Sequence, residues 1–121
     1  MALHNDLGKE GEKIAKQYLE DKGYEVLDEN WTHGKAEVDL IVYKNGIMVF
    51  VEVKSRSSIA FGEPEEFVQK SKQIQMELAA NAYIEIMNHQ NDIRFDIIAI
   101  TFTKNKSYNL NHIEDAFWPE D

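Results

Sequence analysis

The chain has 121 residues, 43% of them hydrophobic and 29% charged, the proportions of one soluble globular domain rather than a disordered or two-domain chain. A net charge of −9 argues against a broad basic surface that coats nucleic acid, but leaves room for an enzyme that touches one locally through a divalent cation. The absence of cysteine excludes disulfides, thiolate zinc sites and cysteine nucleophiles.

Ile47-Met48-Val49-Phe50-Val51, the longest apolar run, is too short to span a bilayer, and the N-terminus has no basic start or apolar segment of an export signal. The expectation is a cytoplasmic protein, without membrane association, forming a single domain over 1–121 with a dispensable tail at 119–121. The first element reads as a helix from Asn5 or Asp6, either able to cap it, to Lys22. Leu7, Gly11, Ile14, Ala15, Tyr18 and Leu19 form its apolar face, and Gly23 suits the left-handed residue that ends it. Strands follow over Tyr24–Asp28, Ala36–Tyr43 and Ile47–Lys54, with Asn45-Gly46 as a strong type I′ hairpin signal. A loop containing Ser55, Ser57, Ser58, Gly62 and Pro64 leads to a second helix over Gln69–Met87, whose predicted buried face is Ile74, Leu78, Ala82 and Ile86. Ile93–Thr101 reads as a strand buried on both faces, and Tyr108–Ile113 as an edge strand. The order α-β-β-β-α-β-β predicts an α/β fold, a mixed sheet flanked by helices.

The hairpin carries the chemistry. A two-residue turn pairs Lys44 with Ile47, which sets Asp39 opposite Glu52 and Glu37 opposite Lys54. Val38, Leu40 and Val42 then face Val49, Val51 and Val53 on the other side. Two facing carboxylates repel unless a cation lies between them, and hard oxygen ligands suit Mg²⁺ or Mn²⁺ better than zinc. Lys54 projects on the same side, where a lysine can orient water and offset phosphate charge. Spacing alone leaves two readings open: a cation site, or a solvated face with a Glu37–Lys54 ion pair of little energetic weight. A three-residue loop with a bulge at Gly46 would place Asp39 and Glu52 on opposite faces. Glu12 lies at the border of the first helix's apolar stripe, beside Gly8 and Ala15, where it is either a surface residue or a carboxylate reaching the sheet's edge.

The ordered motifs Gly8-Lys9-x-Gly11-Glu12-x-x-Ala15-x-x-Tyr18-Leu19, Gly23-Tyr24, Asn30-Trp31, Glu37-Val38-Asp39-Leu40-Ile41, Val49-Phe50-Val51-Glu52-Val53-Lys54-x-Arg56, Phe61-Gly62-x-Pro64 and Arg94-Phe95-Asp96-Ile97-Ile98 run nearly the length of the chain. They resemble the YraN-like family of bacterial endonucleases. That resemblance implies a restriction-endonuclease-like fold of the PD-(D/E)xK type, similar to archaeal Holliday-junction resolvases. It implies Asp39 and Glu52 as metal ligands, Lys54 as the catalytic lysine and Glu12 as the helix-borne carboxylate completing the site. Ala36 and Thr32 stand where the family usually has glycine and arginine. Neither change removes a ligand, but the lost arginine weakens a phosphate contact.

The expected function is a metal-dependent endonuclease acting on nucleic acid, with DNA as the expected partner. Asp39, Glu52 and the Val53 carbonyl would hold Mg²⁺ or Mn²⁺, and Glu12 would bind it directly or through water. Glu37, Arg56, Lys70 and Lys72 are weaker substrate-binding candidates; each of the three basic residues is otherwise an ordinary solvated charge. The alternative is a non-enzymatic module that keeps the fold and binds nucleic acid or protein. Two-fold substrates such as junctions would call for a homodimer. Asp96, odd within a buried strand, reads as a partner of Arg94 or a cap of a neighbouring turn. Trp31 reads as core, or with His33 as a platform for a base.

Overall fold

The computed structural model describes residues 2–57, 68–105 and 107–118. The loop region at Ser58, Gly62 and Pro64, the acidic Glu63, Glu65 and Glu66, and the tail from Pro119 lie outside the described residues. The elements run α1 (Ala2–Asp21), β1 (Glu25–His33), β2 (Ala36–Lys44), β3 (Ile47–Ser57), α2 (Lys70–Ile86), β4 (Ile93–Phe102) and β5 (Tyr108–Ile113), matching the predicted order. They form a mixed five-stranded sheet in the order β1-β2-β3-β4-β5, antiparallel except for β3 beside β4. The parallel pair requires a crossover, and α2 lies within it.

α1 buries Gly11, Ala15 and Leu19 against a core of Leu40, Val42, Val49, Val51, Ile98 and Ile100 on one sheet face. It starts at Ala2, so Asn5 and Asp6 lie inside the helix rather than at the expected cap position. Gly23, at φ 94°, ends it. The Tyr24 N–H donates to Leu19 O and the Gly23 N–H to Glu20 O, both at 3.0 Å, a paired closure that satisfies the last carbonyls. Gly11 allows close approach of helix to sheet: a Cβ there would overlap Ser55 Oγ on β3.

α2 covers the other face, and here the predicted face was wrong. Met76, Ala79, Ala80 and Tyr83 are buried against Val38, Ile41, Met48, Phe50 and Phe95. Ile74, Leu78 and Ile86 are 43%, 57% and 69% exposed. The physical reason is steric. Two adjacent alanines let the helix backbone settle close to the sheet, and Met76 and Tyr83 fill the space on either side. The Tyr83 ring packs edge-on to Trp31 and Phe50, and its hydroxyl donates to Asp28 Oδ2 at 2.7 Å. Trp31 is thus part of the apolar packing, although it also stacks in parallel with His33 at 6.1 Å.

Asn45 and Gly46 have φ of 53° and 83°, the positive values that a type I′ turn requires. The β2–β3 ladder has the expected register, Lys44 with Ile47 through Leu40 with Val51. It stops there. Neither Asp39 with Glu52 nor Glu37 with Lys54 therefore forms the expected ladder pair; Glu37 pairs with Thr32 of β1 instead. Val38 is also corrected: it packs on the α2 side with Ile41 and Phe50, while Leu40 and Val42 pack on the α1 side. β2 changes face between Val38 and Leu40, as strands do where an irregularity parts them from a neighbour.

Candidate metal and phosphate site

The charged residues lie where β2 parts from β3. One step beyond the last ladder pair, the Val53 N–H donates to Asp39 Oδ2 at 2.8 Å. A side chain thus supplies an acceptor beyond the point where the parted strand ceases to pair. β3 remains in register with β4 from Met48 to Ser57, so its side chains alternate regularly. Glu52, Lys54 and Arg56 therefore follow Phe50 on the α2 face.

Asp39 and Glu52 are mutual neighbours. Burial, then the charge of Glu52, pushes the Asp39 carboxyl up to about 7. Burial likewise raises Glu52, opposed by the nearby Lys72, by a hydrogen bond with Asp39 and by Lys54. Two such carboxyls share a proton when no cation is present, since both cannot ionise cheaply side by side. Glu52 Oε1 is also buried without a hydrogen-bond partner. An acceptor oxygen left unmatched in a partly buried acidic pair is what a cation would satisfy.

Glu12 reaches the neighbourhood from α1, across the sheet from Glu52. Burial raises its carboxyl, followed by the charge of Asp39, with an Asn30 hydrogen bond opposing and Glu37 and Glu29 adding to the rise. Among the described residues, no three His, Cys, Asp or Glu side chains converge tightly enough to cage a metal ion. Glu12 is not gathered with Asp39 and Glu52 into such a group. Mg²⁺ often uses only one or two carboxylates and completes its shell with water and phosphate oxygens, so the Asp39–Glu52 pair fits such an ion.

Sequence reasoning underrated Lys72. From the first turn of α2, its Nζ donates to Glu37 O at 3.1 Å and lies 3.7 Å from Glu52 Oε1. Its charge opposes the rise of both Asp39 and Glu52. Only the packing of α2 could reveal this, because Lys72 lies 20 positions after Glu52 in the chain. Lys70 is exposed at the helix start, Glu37 is exposed on β2, and Arg56 is half-buried on β3.

Asp96 belongs elsewhere, with its predicted partner Arg94 and beside a turn. It accepts two bonds from Arg94, both 2.9 Å, one from His112 Nε2 at 2.7 Å and one from the Asp115 N–H at 3.0 Å. Asp96 accepts the Nε2 proton, and His112 Nδ1 is hydrogen-bonded to the Tyr18 hydroxyl 3.0 Å away. Arg94 also donates to the Tyr24 hydroxyl at 2.7 Å. This network ties α1 to β4 and β5 and is structural.

Fold and site together define an α/β protein with one helix on each face of a mixed sheet and a carboxylate pair at a parted strand edge. The chain belongs to the Uncharacterised protein family UPF0102, whose model matches residues 11–100, a span that includes Glu12, Asp39, Glu52, Lys54 and Lys72. It is 48% identical over 118 residues to a UPF0102 protein of Flavobacterium psychrophilum, covering 98% of both chains. A UPF0102 protein of Flavobacterium johnsoniae is 45% identical over 123 residues, and one of Bacteroides thetaiotaomicron 41% over 119, each with 98% of both chains covered.

Proposed function

We propose that this protein is a divalent-metal-dependent nuclease that hydrolyses phosphodiester bonds in nucleic acid, DNA being the expected substrate. The observation that carries this reading is the partly buried Asp39–Glu52 pair, with a Glu52 oxygen lacking a hydrogen-bond partner and Lys54 two residues along the same strand face. Mg²⁺ or Mn²⁺ bound there would polarise a phosphate and lower the pKa of a coordinated water. Asp39 and Glu52 would hold the ion, with the Val53 carbonyl as a further oxygen donor beside them. Lys54 would orient the attacking water and offset charge developing on the phosphate. Glu12 would act through water from the α1 side. Arg56 and Lys72, with Lys70 farther out, would steady the phosphate backbone, giving affinity with little sequence preference. On an acidic chain, such local positive charge matters more than the overall balance.

Among the described residues no helix is long and apolar enough to cross a membrane. A homodimer would suit a two-fold substrate. One observation favours a non-enzymatic nucleic-acid-binding module instead: Lys72 already supplies a cation to Glu52, so the acid pair is partly neutralised without metal.

Cleavage assays with Mg²⁺ and Mn²⁺ over branched, nicked and single-stranded DNA and RNA separate the two. The nuclease reading requires metal-dependent cleavage of at least one substrate, lost in Lys54→Ala while metal still raises the thermal midpoint. Retained cleavage in that variant would remove Lys54 from the mechanism.

A further inference from the structure

Lys72 and a divalent cation would compete for one oxygen. The ammonium lies 3.7 Å from Glu52 Oε1, beyond hydrogen-bond distance yet close enough to lower both carboxyls of the pair. Among the described residues, its hydrogen bond is to the Glu37 main-chain oxygen at 3.1 Å. That bond anchors the charge beside the acid pair without occupying either carboxylate. A Mg²⁺-sized ion sits about 2.0–2.1 Å from its oxygen ligands, and an ammonium this near the same oxygen would face it at close range. Both side chains are partly shielded from water, with 33% of the Lys72 side chain and 16% of the Glu52 side chain exposed, so screening relieves only part of the repulsion. The lysine stem is flexible and its head strongly hydrated, so displacement toward solvent is open to it.

We propose that Lys72 is a tethered counter-ion of the Asp39–Glu52 pair, which it neutralises in the metal-free protein and from which a divalent cation must displace it. This rests on the metal-site reading above and adds a regulatory consequence: metal affinity is set partly by a side chain from α2, an element that contributes no ligand. The site is held in a low-affinity state by its own lysine. Loading with metal releases a positive charge on the face that carries Lys54 and Arg56.

The test is isothermal titration of the nucleic-acid-free protein with Mn²⁺, comparing wild type, Lys72→Met, Lys72→Arg and Lys104→Met. Lys104 is exposed in the turn after β4 and controls for the loss of one positive charge. Lys72→Met should bind Mn²⁺ on the order of tenfold more tightly than wild type, and Lys72→Arg should stay near wild type. Lys104→Met should gain much less than Lys72→Met. Without metal, Lys72→Met should melt at lower temperature than wild type, and saturating Mn²⁺ should close most of that gap. If wild type binds Mn²⁺ and Lys72→Met binds no more tightly than Lys104→Met, the counter-ion role is overturned while the metal site stands. If neither wild type nor Lys72→Met binds Mn²⁺, the metal site falls and this proposal falls with it. Should Lys72→Met fail to fold, Lys72→Gln under the same titration decides the question by the same criterion.

Discussion

Asp96 and the Asp39–Glu52 pair are both acidic centres on one sheet, and their protonation shifts in opposite directions. Burial works against the charged form of Asp96, but bonds from His112, Arg94 and the Asp115 N–H outweigh it and hold the carboxyl below its ordinary range. At Asp39 burial is joined by the charge of Glu52, and one backbone N–H and the nearby Lys72 do not compensate. Depth alone does not explain the difference, since Asp96 is the more deeply buried of the two. What differs is the supply of donors: one centre is complete within the protein, and the other calls for positive charge from outside. The first arrangement stabilises a fold. The second stores electrostatic cost where a ligand can relieve it.

The largest expected effect tests the completed centre. Asp96→Ala should destabilise by about 3–5 kcal/mol, because it takes the main partner from a partly buried guanidinium and leaves His112 without its acceptor. Urea denaturation measures this directly; a loss under about 1 kcal/mol would mean the network is not the lock described.

Gly11→Ala tests the middle of α1, where the helix brings Glu12 toward Asp39. The added methyl would overlap Ser55 Oγ, so the helix must lift or Ser55 must rotate. A stability loss of about 1–3 kcal/mol is expected, with a weaker response to Mn²⁺ as Glu12 withdraws. If stability and metal response both stay at wild-type values, Ser55 has room to rotate and close approach at Gly11 does not position Glu12.

Asp39→Asn should act with the opposite sign to Asp96→Ala. Removing one of two like charges should stabilise the metal-free protein by about 1–2 kcal/mol near pH 8 and abolish the gain from Mg²⁺ or Mn²⁺. Thermal melts with and without metal are sufficient, and a strongly destabilised Asp39→Asn would contradict the picture of a strained acid pair.

The smallest effect is a slope. Asp39 titrates near 7 when folded and near its ordinary value of 3.8 when unfolded, so between those values the folded state holds more protons. Its contribution to stability must therefore fall as pH rises through that window. Asp96 has the opposite sign: its contribution is present above the ordinary carboxylate range and is lost on acidification. The gap between Asp39→Asn and wild type should be near zero around pH 4 and reach its full value above about pH 7. A gap independent of pH would assign the Asn effect to packing.

Much of this was legible in the chain because local geometry sets it. Asn45 and Gly46 tolerate positive φ, so they specify the turn, and the turn sets the register as far as Leu40 with Val51, one step short of Asp39 and Glu52. Gly23 likewise marks the end of α1. The pairing of Asp96 with Arg94 followed from the cost of burying a lone charge. In each case the deciding interaction lies within a few residues or follows from one strand register.

The tertiary structure decided what depends on contact between distant surfaces. α2 offers two apolar stripes, and the one with larger side chains, Ile74, Leu78 and Ile86, is left exposed. The buried stripe contains Ala79 and Ala80 because helix–sheet packing rewards close backbone approach as well as hydrophobicity. That rotation of α2 also brings Lys72 to Glu52. The ladder's end at Leu40–Val51 depends on how β2 bends between its neighbours, and it turned an expected row of four charges into an acid pair with a lysine from another element. Hydrophobic periodicity identifies a helix and its candidate faces; the shape of the opposing surface selects which face is buried and which charges meet.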